Sequence, residues 1–121
     1  MTKTVVVMGT MDTKGPELAY LAQRIASAGC RALLMDVGAA AESDTDADIT
    51  AAQVAATVGE DINAVRALPR GEAVEKMVTA AAAYLQHMVQ SGEAHGIIGV
   101  GGSGGTTICA AAMRALSLIH I

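Results

Sequence analysis

Apolar residues along this chain change period in a regular order, short unbroken runs alternating with longer stretches in which they recur every three or four positions. Thr4 to Met8, Arg31 to Val37 and Gly96 to Val100 are runs of the first kind and predict buried strands. Residues 16–28 are of the second kind: Leu18, Leu21, Ala22 and Ile25 fall on one helical face and Arg24 points away from it. Pro16 suits the first turn of that helix and Gly29 its C-terminal stop. Thr50 and Gln53 have the spacing of a capping box, opening a short helix that Gly59 closes. The strongest helical pattern covers residues 72–90, where Val74, Met77, Val78, Ala81, Leu85, Met88 and Val89 share a stripe, and Gly92 ends it. The connector containing Leu68-Pro69-Arg70-Gly71 has no clear period.

Strands separated by helices predict right-handed βαβ crossovers, and so an α/β fold: a Rossmann-like, three-layer parallel sheet in the order 2-1-3, carried here only in part. In that order the first and third strands are neighbours whose connections leave in opposite directions. Ligands of such sheets bind at the carboxyl ends of the strands around this switch point. Two unusual loops leave those two ends. One is Gly9-Thr10-Met11-Asp12-Thr13-Lys14-Gly15, after the first strand; the other begins at Gly99 and runs through Gly101, Gly102, Ser103, Gly104, Gly105, Thr106 and Thr107.

Glycines let a backbone turn through positive φ and approach a ligand closely, and the free N–H groups of a following helix attract an anion. Residues 101–107 therefore read as a phosphate cradle. Gly99, Gly101 and Gly104 satisfy G-x-G-x-x-G, although a glycine-rich segment matches that pattern easily. The first loop departs from the P-loop, because Gly15 is followed by Pro16 and Glu17 and not by Lys and Ser or Thr. Within it Thr10, Asp12, Thr13 and Lys14 are the candidates. Lys14 suits a phosphate and Asp12 a magnesium ion or a ribose hydroxyl, while Asp12 and Thr13 serve equally well to shape a turn before a helix. Asp36 ends the second strand, where nucleotide folds place a ribose-binding carboxylate, and it can equally cap a loop. Ser103 lacks the full nucleophile-elbow context and an assignable histidine partner, so phosphate binding is preferred to nucleophilic chemistry.

Composition narrows the setting. With 52% hydrophobic and 17% charged residues in 121, and only two aromatics, the chain is a soluble globular domain or part of one, its core built from small aliphatic side chains. No apolar run approaches the roughly 20 residues that span a bilayer, and Met1-Thr2-Lys3 leads into a strand without a signal-peptide pattern, so a cytoplasmic protein without membrane attachment is expected. A net charge of −4 without a basic or aromatic patch argues against nucleic acid. Cys30 and Cys109 lack C-x-x-C spacing and read as small buried hydrophobes. His87 and His95 lack partners at metal-ligand spacing. Asp44, Asp46 and Asp48 lack the glycine and terminal glutamate of a calcium loop and read as a solvated acidic turn.

Segments 9–18, Asp36-Val37-Gly38, Ala47-Asp48-Ile49 and 99–106, with Ala112-Met113-Arg114-Ala115-Leu116, resemble the Tm-one-like ATP-binding proteins. That family includes a tomato-mosaic-virus resistance protein and many bacterial relatives. The resemblance implies a Rossmann-like N-terminal domain that binds ATP, further polypeptide after it, and a homodimer of the full-length protein. Residues 1–115 are then the N-terminal part of a nucleotide-binding domain. Ser117-Leu118-Ile119-His120-Ile121 departs from the family's continuation, and residues 116–121 back-translate to the end of a common sequencing adapter, so they read as a non-native read-through tail. The leading expectation is an ATP-binding domain, with or without magnesium. The alternatives are an enzyme acting on a phosphorylated or carboxylated metabolite, with Asp12 or Asp36 as acid or base, and a regulatory protein-interaction module.

Overall fold

A computed structural model describes residues 3–38 and 47–100, with 110 and 114 as isolated helical positions; the side chains of Asp12 and Thr13 lie outside the described set. The described elements are β1 (Thr4–Gly9), α1 (Met11–Ser27), β2 (Arg31–Asp36), α2 (Ala51–Ala56), α3 (Ile62–Arg66), α4 (Arg70–Gln90) and β3 (Gly96–Val100). The three strands form one parallel sheet in the order β2-β1-β3. This is the α/β architecture and strand order that the alternation of apolar patterns predicts.

Alternation along β1 sends successive side chains to opposite faces. Val7 joins Met11 and Leu18 in a small core under α1, where Leu21, Ala22, Ile25 and Val100 also pack. Val6 and Met8 join the larger core on the other face, with Met35, Val37, Val54, Val65, Met77, Ala81 and Leu85. Val6, Val7 and Met8 are all fully buried. Helices therefore cover both faces of β1, which is why its sequence is a continuous apolar run rather than an alternating one. The stripe read along the fourth helix is the face that packs: Met77, Ala81, Leu85 and Met88 are buried, and Val74, Val78 and Val89 lie half-buried against the same core.

Local chemistry explains most boundaries. Thr50 Oγ1 accepts from the Gln53 N–H at 3.2 Å and Gln53 Oε1 accepts from the Thr50 N–H at 2.8 Å, completing the expected capping box. Gly29, Gly59 and Gly92 each take a positive φ, of 95°, 76° and 80°, where the chain leaves a helix. Three features differ from the sequence pattern. The first helical segment begins at Met11, breaks at Lys14 (φ −125°, ψ 22°) and then runs on through Pro16. The connector before the long helix holds a single short helix, α3, whose Ile62 and Val65 are buried but too few to show a period. Cys30 is only half-buried, with a free thiol, beside the turn that starts β2, and Cys109 lies outside the described residues.

The outer edge of β2 is closed by the segment that returns from its own carboxyl end. Ile49 donates to the Leu34 carbonyl and accepts from the Asp36 N–H, both at 2.9 Å, and Asp48 Oδ2 accepts from the Leu34 N–H at 2.8 Å. Asp48 thus serves a strand edge, where the sequence suggested a solvated acidic turn; Asp44 and Asp46 lie outside the described residues. At the opposite end of the sheet His95 brackets the start of β1: its N–H donates to the Thr4 carbonyl at 2.9 Å and its Nδ1 accepts from the Thr4 N–H at 3.0 Å. No described helix is long and apolar enough to cross a membrane.

Burial ranks the consequences of substitution. Met77 is fully enclosed between α4 and the sheet, so Met77→Ala is expected to lower the unfolding free energy by about 2–5 kcal/mol in a denaturant titration. Tyr20, on the outer face of α1 and 65% exposed, is expected to tolerate alanine within about 0.5 kcal/mol.

Candidate functional site

The carboxyl edge of the sheet is assembled around Gly9. In the strand registers Gly9 lies opposite Asp36 of β2 on one side and Val100 of β3 on the other. A Cβ at Gly9 would sit 2.6 Å from the Val100 carbonyl oxygen and 2.8 Å from Leu18 Cδ1. Both distances are shorter than real side chains tolerate, so the absence of a side chain here lets β1, β3 and α1 converge. The Val37 N–H donates to the Gly9 carbonyl at 3.0 Å, holding the exit of β2 against the same point.

Beyond Gly9 the chain passes through Thr10, in an extended conformation (φ −86°, ψ 93°), and enters the first turn of α1. The Lys14 N–H donates to the Thr10 carbonyl at 2.8 Å and closes that turn before the helix breaks. Lys14 itself is half-buried. Asp36 reaches across from the end of β2: its Oδ1 accepts from the Met11 N–H at 3.2 Å and from the Gly38 N–H at 2.8 Å, and the residue is only 5% exposed. One carboxylate oxygen therefore joins the β1–α1 turn to the exit of β2.

Of the residues singled out by sequence, the structure brings Thr10, Lys14 and Asp36 to this one edge. Asp12 and Thr13 occupy the same turn by backbone position, their side chains outside the described set. Gly101, Gly102, Ser103, Gly104, Gly105, Thr106 and Thr107 lie outside the described residues, which reach Val100 immediately before them. Gly9 and Gly38 stand in the sequence as members of motifs, and their roles emerge from the structure. The signal was available at Gly9, a glycine closing an apolar strand before a helix, which marks close backbone approach. The Gly38 N–H fits the loop-capping role that the sequence offers for Asp36, whereas the Met11 N–H carries no sequence signature.

The remaining polar features are elsewhere in the fold. A surface pocket along α4 is lined by Leu68, Glu72, Glu75, Lys76 and Thr79. Lys76 Nζ is engaged with Glu60 Oε1 at 3.0 Å, and the two further carboxylates make this an unsuitable seat for an anion. Among the described residues no group of three or more His, Cys, Asp or Glu side chains is arranged to hold a metal ion.

Residues 3–119 match the N-terminal domain of UPF0261, described as an uncharacterised protein family. A UPF0261 protein of Clostridium tetani is 35% identical over 119 residues, covering 98% of this chain and 30% of that protein. A UPF0261 protein of Rhizobium meliloti is 40% identical over 117 residues, covering 96% of this chain and 28% of that protein. The corresponding protein of Mesorhizobium japonicum is 39% identical over 117 residues, with 96% and 28% coverage. The chain thus spans less than a third of the length of these relatives. These matches overturn the resemblance to the Tm-one-like ATP-binding proteins. Glycine-rich βα turns and a carboxylate at a strand end arise wherever a parallel sheet hands its strands to helices, so the segments that suggested that resemblance identify an architecture rather than a family.

The convergence at Gly9 is directly testable. Gly9→Ala must push its methyl into a backbone oxygen, which cannot rotate away, and is expected to destabilise the fold by about 1–3 kcal/mol. Thermal unfolding followed by circular dichroism checks this; an unchanged midpoint would mean that β1 and β3 are not held at this separation.

Proposed function

This chain belongs to the UPF0261 family, and we propose that it acts there as a phosphate-anchored nucleotide-binding domain, with ATP the first ligand to test. The observation that carries this reading is the pairing of Gly9 with Val100. It makes β1 and β3 leave the sheet side by side. The turn after β1 and the glycine-rich segment after Val100 therefore start from adjacent points on one edge, the position at which open parallel sheets take their ligands. The composition of residues 101–107 supports the assignment, because an anion held by main-chain N–H groups needs small residues that let it come close.

In this reading the glycine segment contacts the phosphates, and Lys14 adds a positive charge from the other loop. Thr10, Asp12 and Thr13 are left to line the turn. Magnesium is not assigned to Asp36, whose Oδ1 faces two N–H donors, the environment of a carboxylate serving backbone rather than a cation. A nucleotide ligand also implies a cytoplasmic setting, where such ligands are abundant.

Calorimetric titration of the protein with ATP tests the reading, and hydrolysis of labelled ATP then tells a binding domain from an enzyme. Gly104→Val is expected to weaken ATP binding more than it lowers the unfolding midpoint, because a branched Cβ obstructs close phosphate approach. Undiminished affinity in a folded Gly104→Val protein would remove the cradle. Lys14→Ala is expected to leave the fold nearly intact and to cost about 1–3 kcal/mol of binding through loss of a charge-assisted contact. That cost must shrink as salt is raised; a cost independent of salt would make Lys14 a local structural residue.

A further inference from the structure

We propose that Asp36 is a positioning residue of this crevice, a strap that sets where the β1–α1 turn stands, and not a contact to the ribose of a bound nucleotide. The end of the second strand is the place at which a nucleotide fold offers a carboxylate to ribose hydroxyls, and the sequence alone leaves that role and a loop cap equally open. The geometry assigns Oδ1 differently. It is buried and accepts two main-chain N–H groups from separate segments, Met11 at 3.2 Å and Gly38 at 2.8 Å.

Each of those segments borders the proposed site. Met11 opens the turn that carries Asp12, Thr13 and Lys14, and Gly38 follows Val37, whose N–H is bonded to the Gly9 carbonyl. Asp36 thereby ties the turn to the one point of the edge that close packing fixes. Main-chain N–H groups that are buried must be paired, and Asp36 Oδ1 serves two of them. If the strap is cut, the turn loses its register against β2, and any ligand touching that turn loses its footing whether or not it contains a sugar. This role rests on the nucleotide-binding reading, but the strap itself can be measured in the ligand-free protein.

The test uses the whole protein with Asp36→Ala and Asp36→Asn, amide hydrogen exchange at Met11 and Gly38, and titration with both ATP and inorganic triphosphate. Asp36→Ala removes the acceptor and is expected to speed exchange at both amides by about tenfold or more. It is expected to weaken ATP and triphosphate by the same factor. Asp36→Asn keeps a carbonyl acceptor of the same reach and is expected to restore both the protection and the affinity. Loss of ATP affinity with triphosphate binding unchanged would identify a ribose contact and overturn the proposal, as would unaltered exchange in Asp36→Ala. If Asp36→Ala does not fold, the wild-type exchange decides: protected Met11 and Gly38 amides support the strap, and unprotected ones overturn it. Should the wild-type protein bind neither ligand, the nucleotide reading fails, and the exchange rates still judge the strap.

Discussion

β1 is hydrogen-bonded in parallel on both sides and covered on both faces, and the rest of the molecule follows from that position. A parallel neighbour cannot be reached by a tight turn, so each junction needs a crossover long enough to return to the starting edge. The crossover from β1 to β2 is α1; that from β2 to β3 passes through α2, α3 and α4. Because β2 and β3 flank β1 on opposite sides, two right-handed crossovers must lie on opposite faces. The three layers and the two separate apolar cores are consequences of a single strand being central.

Gly9 ends that strand at the most crowded point of the sheet. The carbonyl of Val100 and the side chain of Leu18 close over it, and the only residue that admits both is one without a Cβ. Main-chain atoms consequently dominate the edge: the Gly9 carbonyl bonds to Val37, the Thr10 carbonyl to Lys14, and the Met11 and Gly38 amides to one buried carboxylate oxygen. Such an edge is shaped by backbone hydrogen bonds whose directions are fixed. It is stiffer than one built from long side chains, which must be ordered at an entropic cost when a ligand arrives.

Much of the fold was legible because its signals are local. Three continuous apolar runs, the stripe of α4, the Thr50–Gln53 capping box and glycines 29, 59 and 92 each act within a few residues, and together they leave one plausible strand order. What escaped depends on segments distant in the chain. Asp48 reads as a solvent-facing acid until the Leu34 N–H is known to lie beside it, 14 positions away. Asp36 reads equally as a ribose contact or a loop cap, and its bond to the Met11 N–H, 25 positions away, is invisible in the sequence. Short α3 contributes two buried side chains, too few for a period to emerge. The family assignment failed for a related reason: glycine turns at strand ends report the mechanics of a parallel sheet, which unrelated families share.

The chemistry of the described edge bears on what the domain does within a longer protein. On the proposed reading it presents a lysine on a turn that a buried carboxylate holds in place, which suits holding and orienting better than proton transfer. A general acid or base must reach the reacting atom, and Asp36 Oδ1 is turned toward two amides instead. The chain spans only 30% of the Clostridium tetani relative, so more than two-thirds of that protein's length lies outside it. Ligand pockets occur preferentially at sheet switch points and between structural units, so on the proposed reading an edge of this kind can hold a ligand without itself supplying an acid or base.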